Sequence, residues 1–219
     1  MRAQFDGWGP FLLLAAPGML LGVTGMTHPH RLGPSTAEHW FWMHVAGVFV
    51  FPLVGAALAW LVRGRRDPVA VGIMLTAFVY AILYTALDVV SGIGNGYTTW
   101  QLGEEAVPRP RAISLAFQIG TRMGDIGAWA LFACAVLVSL DVLRRRGLGV
   151  ITVVPVVLLV AGSWFIREEH IFWPGGAISC IAIGIATGML GAIRPASEPS
   201  TTSGLPPSGD ARATSAKGA

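Results

Sequence analysis

Six apolar runs, each about as long as a bilayer-spanning helix, occupy most of this 219-residue chain. A spanning helix needs roughly 20 mostly apolar residues, because the hydrocarbon holds no water to satisfy backbone N–H and C=O groups. The runs lie at about 8–26, 36–62, 68–93, 113–143, 148–166 and 174–193. They are long and uninterrupted, so they read as helices and not as the alternating strands of a barrel. Composition agrees. Charged residues are 12% of the chain and hydrophobic residues 53%, too little charge for a soluble globule, where roughly 25% is usual. The expected fold class is all-α: a polytopic transmembrane helix bundle over residues 1–194, with six spanning helices and both termini cytoplasmic. Residues 195–219, rich in Ser, Thr, Pro, Gly and Ala, are expected to form a disordered cytoplasmic tail.

Charge placement gives the orientation. A net charge of +3 does not make a nucleic-acid surface here, because the basic residues fall in separate clusters between apolar runs. Arg63, Arg65 and Arg66 follow the second run, and Arg144, Arg145 and Arg146 follow the fourth. The positive-inside bias puts both clusters in the cytoplasm, in a plasma-membrane orientation. The first run has one Arg ahead of it and no A-x-A after it, so it reads as a retained helix rather than a signal peptide. Two cysteines in separate apolar runs exclude a disulfide scaffold and Cys-rich metal modules. Hydrolase, nucleotide-binding and zinc-protease motifs (G-x-S-x-G, Walker A, H-E-x-x-H) are also missing.

Local signals predict helix ends and contacts. Ser35 and Glu38 fit a capping box for the second helix, and Pro52 is expected to kink it. Gly176, Cys180, Gly184 and Gly188 recur every fourth residue of the last run. Gly18 with Gly22, and Gly120 with Gly124, form shorter stripes. Such stripes let helices approach closely, either within the chain or toward a membrane-protein partner or a second copy. Gly92, Gly94 and Gly96 read as the exit from the third helix. Trp8, Trp40, Trp42, Trp100, Trp164 and Trp173 fall where an interfacial aromatic belt is expected.

Ionisable groups at membrane depth are costly and are candidate functional residues. His28 and His30 flank Pro29 in an H-x-H step just after the first run, with Met26 nearby as a thioether that would favour copper. His39 and His44 on the second run are about 140° apart around the axis, so both cannot point squarely at one site. Asp88 stands near the outer end of the third run, one turn beyond Tyr84. Gln118, Arg122, Asp125 and Trp129 share a face of the fourth, where Arg122 could pair with Asp125 or reach Asp88. Glu169 and His170 precede the sixth run. Each has a bland alternative: an exposed loop, an interfacial polar group, an interhelical hydrogen bond, or an ion-pair network. Their common sidedness points instead to an outward pocket between the second, third, fourth and sixth spans.

Thr27-His28-Pro29-His30, Trp40 to His44, Phe51-Pro52-Leu53 and Glu169-His170 to Trp173-Pro174 together resemble a loose family of uncharacterised multi-pass membrane proteins of high-GC bacteria. The resemblance covers most of residues 20–190. It implies a helical fold in a bacterial plasma membrane and no particular reaction.

The expected function follows from the pocket. His28, His30, His44 and His170 are the candidate ligands of copper, zinc or haem iron. Asp88, Arg122, Asp125 and Glu169 are the candidate orienting or proton-handling groups. Two alternatives stand beside this. One is a proton-coupled small-solute transporter using His44, Asp88, Arg122 and Asp125. The other is an accessory subunit of a membrane complex.

Overall fold

The computed structural model describes residues 4–5 and 7–194; the expected tail at 195–219 lies outside them. Helix α1 is Trp8–Met26, α2 Ala37–Trp60 and α3 Pro68–Leu87. The third run then continues as a π-helical segment, Asp88–Gly94, and as α4, Asn95–Leu102, before a 3₁₀ turn at Gly103–Ala106. Helices α5, α6 and α7 are Arg111–Arg146, Val150–Glu169 and Gly175–Ala192. Six of these helical stretches are long and apolar enough to cross a membrane, which fits a multi-pass membrane protein. Two residues before α1, Gln4–Phe5, pair antiparallel with Ile193–Arg194. The start of the first span and the end of the last thus meet at one end of the bundle, as an even number of crossings requires.

Glycine stripes hold the helices close. A Cβ on Gly18 of α1 would stand 2.6 Å from the Cys180 carbonyl oxygen and from the Gly184 backbone of α7, and one on Gly188 would meet the Phe11 carbonyl at 2.8 Å. These helices touch backbone to backbone, which only residues without a Cβ permit. Gly120, Gly124 and Gly127 of α5 likewise admit Ser91, Leu87 and Tyr84. The stripes that could have docked a partner are therefore occupied within the chain.

Two local expectations are corrected. The third span does not end at residue 93. Gly92 and Gly96 lie inside the helical continuation because they face the His44 ring and the Trp40–Phe41 segment, so they serve packing rather than chain reversal. The Ser35–Glu38 capping box does not form. Thr36 is the N-cap residue, and its hydroxyl accepts the Gly33 N–H at 3.1 Å and donates to the Arg31 carbonyl at 2.9 Å, tying the incoming loop together. Helix α2 runs unbroken through Pro52.

At the end of α2 where the Arg clusters lie, Asp67 caps α3 by accepting the Ala70 N–H at 3.1 Å, with Pro68 in the first turn. Arg65 forks onto Asp67 at 2.9 and 3.0 Å and onto Asp141 of α5 at 2.6 and 2.9 Å. Arg145 adds a bond to Asp141 at 2.8 Å. Planar guanidinium forks matched to carboxylates make the strong form of ion pair. They hold the Asp67 carboxyl down at about 2 and raise the Arg65 guanidinium further.

Candidate metal centre

At the opposite end of α2 three imidazoles converge. His44 comes from the second turn of α2, His28 from the loop after α1, and His170 from the turn between α6 and α7. Each offers a ring nitrogen, and the three lie within 4.8 Å of one another. A point equidistant from three such atoms is at most roughly 2.8 Å from each, against roughly 2.0–2.1 Å for a zinc–imidazole bond. Inward shifts of about 0.7–0.8 Å per nitrogen would close a three-histidine site.

The rings are set by their other nitrogens. His44 Nδ1 lies 2.6 Å from the Trp40 carbonyl oxygen and His28 Nδ1 lies 2.8 Å from the Pro29 carbonyl oxygen. A carbonyl only accepts, so both Nδ1 atoms carry the proton and both Nε2 atoms keep their lone pair. His170 Nδ1 is 2.7 Å from the Tyr84 hydroxyl. Metal-binding histidines are oriented in this way, by a hydrogen bond at one ring nitrogen that leaves the other for an ion. The Nε2 of His28 is buried with no partner. Aromatic contacts fix the planes, with Trp40 stacked on His44 at 5.0 Å and Tyr84 on His170 at 5.4 Å. His170 takes a positive φ of 52°, a conformation that costs a non-glycine residue about 1 kcal/mol or more and persists only where its surroundings hold it.

Asp88 opens the π-helical segment and is 2% exposed. Its Oδ1 lies 3.8 Å from His44 Nε2, and its Oδ2 is buried without a partner. Ser91 Oγ, one turn on, is likewise buried and unpartnered. Gly47 and Gly92 make the room: a Cβ at Gly47 would stand 2.7 Å from Asp88 Oδ2, and one at Gly92 would run into the His44 ring. π-Helical turns recur at functional sites, where the extra residue re-aims side chains.

These groups line a cavity of about 370 Å³. Its walls come from the loop after α1, α2, α3 with its π segment, α5, and the end of α6. In span order these are the second to fifth. No lining residue belongs to the last span, so the expected wall from that span is corrected: the turn before it, carrying His170 and Phe172, supplies the contact.

Burial sets the electrostatics. It pulls His28 down to about 3, with the neighbouring His44 adding to the effect. Burial first, and then His28 and His44, also pull His170 well below the ordinary imidazole range. Both rings are neutral at physiological pH, the form a metal requires.

The remaining sequence candidates separate. His30 is exposed and stacks on Phe172 at 5.7 Å, outside the three-imidazole group. Met26 is 49% exposed and does not line the cavity around the three imidazoles. His39 is exposed and bonds the Thr27 carbonyl at 3.0 Å, as its angle around α2 required. Arg122 and Asp125 are exposed, and among the described residues no ion pair joins Arg122 to Asp125 or Asp88. Arg122 points away from the cavity because Gly120, Gly124 and Gly127 present the packed face of α5. Asp125 and Glu169 line the cavity. Trp40 is buried beside the site, donating to the Ser91 carbonyl at 3.3 Å, rather than in a surface belt. Ser91, the π segment and the orienting carbonyls had no sequence signal. Tyr84 did, through its four-residue step to Asp88.

No family model, no curated protein and no solved structure matches the chain.

Proposed function

We propose that this chain is a bacterial plasma-membrane protein, with its termini and Arg clusters cytoplasmic, that binds one divalent transition metal through His28, His44 and His170. Asp88 stands beside the ion as the orienting and proton-handling carboxylate. The supporting observation is the three-imidazole group itself: ligand nitrogens within 4.8 Å, with two rings held by carbonyls and the third by a tyrosine hydroxyl. Three imidazoles and a nearby carboxylate suit zinc or iron(II). Copper loses its argument with Met26 exposed and off the cavity wall. A haem held by two of these imidazoles does not fit, because the two would have to stand apart across a flat macrocycle. Here the His28 ring packs edge-on against His44 at 5.1 Å and His170 at 6.0 Å, leaving no slot.

A transporter would need a path beyond the site. Deeper in the bundle the space lined by Leu21, Phe51, Tyr80 and Cys180 measures about 10 Å³, the limit for a single water. Binding at a closed-ended pocket is the better reading.

Metal analysis of the purified protein tests it. About one zinc or iron per chain is expected, lost in His44→Ala. A metal-free protein that ignores added zinc and iron(II) would overturn it.

A further inference from the structure

Resting on that metal site, we propose that the cavity is a hydrolytic centre for a neutral acyl-linked amphiphile, an ester or amide, entering sideways between α5 and α6. Three observations converge. First, the cavity is far larger than an ion needs, about 370 Å³, and beyond the imidazoles its lining residues carry three further buried polar atoms without partners, Asp88 Oδ2, Ser91 Oγ and Arg167 Nε. Unpaired buried polar atoms are rare and costly, and here they belong to residues that line one cavity. Three protein ligands leave a coordination position for water, as catalytic zinc sites do.

Second, the mouth is lateral. Among the lining residues the exposed ones are Thr121 and Asp125 of α5 and Glu168 and Glu169 from the end of α6. Helix α5 has 36 residues, roughly 54 Å at 1.5 Å per residue, against about 30 Å of hydrocarbon. Its apolar stretch begins at Ile126, so the mouth opens at head-group level. Trp129 and Trp164 flank it, packed edge to face at 6.1 Å, with the Arg167 guanidinium over both rings at 4.8 and 4.3 Å. Exposed tryptophans of this kind mark a membrane interface.

Third, the rim selects charge. Asp125, Glu168 and Glu169 outnumber Arg167, which is already paired with Glu168. An anionic head group is repelled and a neutral one is admitted. Phe117 and Leu87 supply apolar wall beyond the rim.

The step balances without a redox partner. A water polarised by the metal passes a proton to Asp88, and its oxygen bonds to the acyl carbon. The bond from that carbon to the alcohol oxygen or amine nitrogen breaks, and the proton returns from Asp88 to the leaving group. The products are a carboxylic acid and an alcohol or amine.

The test uses the full chain in detergent, loaded with zinc, and 4-methylumbelliferyl palmitate as the probe, with the chelated protein as the blank. Zinc-dependent release of methylumbelliferone is expected. Asp88→Asn should keep its zinc and lose about 100-fold or more of the rate, the size of a general-base contribution. Thr121→Trp, an exposed position that folding tolerates, should keep its zinc and raise KM for the palmitate. Stoichiometric zinc with no release above the blank overturns the proposal while leaving the metal site standing, and so does a Thr121→Trp variant with unchanged KM. Failure to bind zinc at all sinks both.

Discussion

At one end of the bundle Arg65, Asp67, Asp141 and Arg145 satisfy one another through short, forked hydrogen bonds in partly exposed positions. At the other, His28, His44, Asp88 and His170 are packed in apolar and aromatic surroundings, and Nε2 of His28 and Oδ2 of Asp88 remain unpaired. The first set is complete and needs nothing added. The second is oriented but incomplete, which is how a binding site differs from a structural clamp. Structural ion pairs use their hydrogen-bonding capacity internally, and a site keeps some in reserve for a ligand.

The comparison can be broken most directly by removing one imidazole. His170→Ala should drop metal content from about one per chain to near zero. Asp141→Asn should leave it unchanged, as read by elemental analysis. Equal loss from both variants would erase the distinction between the ends.

Close packing gives the next effect. Gly18→Ala puts a methyl group against the Cys180 carbonyl and the Gly184 backbone, neither of which can swing aside. A loss of about 1–3 kcal/mol is expected, as for other overpacked cores, seen as a lowered Tm in detergent. Gly92→Ala meets the His44 ring instead, so it should weaken metal binding along with stability.

Asp141→Asn itself breaks a fork from Arg65 and a bond from Arg145. With partly exposed partners the cost is about 1–2 kcal/mol, between a surface pair and a charged hydrogen bond in shelter. It should shrink as salt is raised.

The subtlest test is the pH window in which each end weakens. His28 is held to about 3 by burial, below its unfolded value of roughly 6.5. Between those values the unfolded chain binds a proton that the native site refuses. The metal-free protein should therefore lose stability as pH falls from about 6.5 toward 3. Asp67 works lower. Its carboxylate is held to about 2 by Arg65, so its contribution is present above roughly pH 4 and lost as pH falls toward 2. Replacing Asp67 by Asn keeps a capping oxygen and should flatten only the lower limb of a Tm-against-pH curve. A His28→Gln variant should flatten only the upper limb.

How much of this was legible depended on the range of the interaction involved. The first span, read at about 8–26, is Trp8–Met26, because apolar length is a local property of the chain. The third was cut short at residue 93, because Gly92, Gly94 and Gly96 look like breakers until His44, Trp40 and Phe41 are seen lying against them. His28 and His30 were indistinguishable one residue apart on either side of Pro29, yet one is buried in the cavity and the other lies at the surface. Arg122 looked like the natural cation for Asp88 on spacing alone, and the glycine face of α5 turned it outward.

By itself the sequence determined the number of spans, the sidedness of histidines and arginines, and the small-residue stripes, since each follows from hydropathy, charge and side-chain size along one segment. Only the tertiary structure decided which imidazoles meet, that Asp88 and Ser91 share their cavity, and that the arginine clusters find their aspartates. Those outcomes depend on the rotation and register of helices distant in the chain. These are set by backbone approach at glycines and by the π-helical turn, neither of which has a fixed signature in residue order.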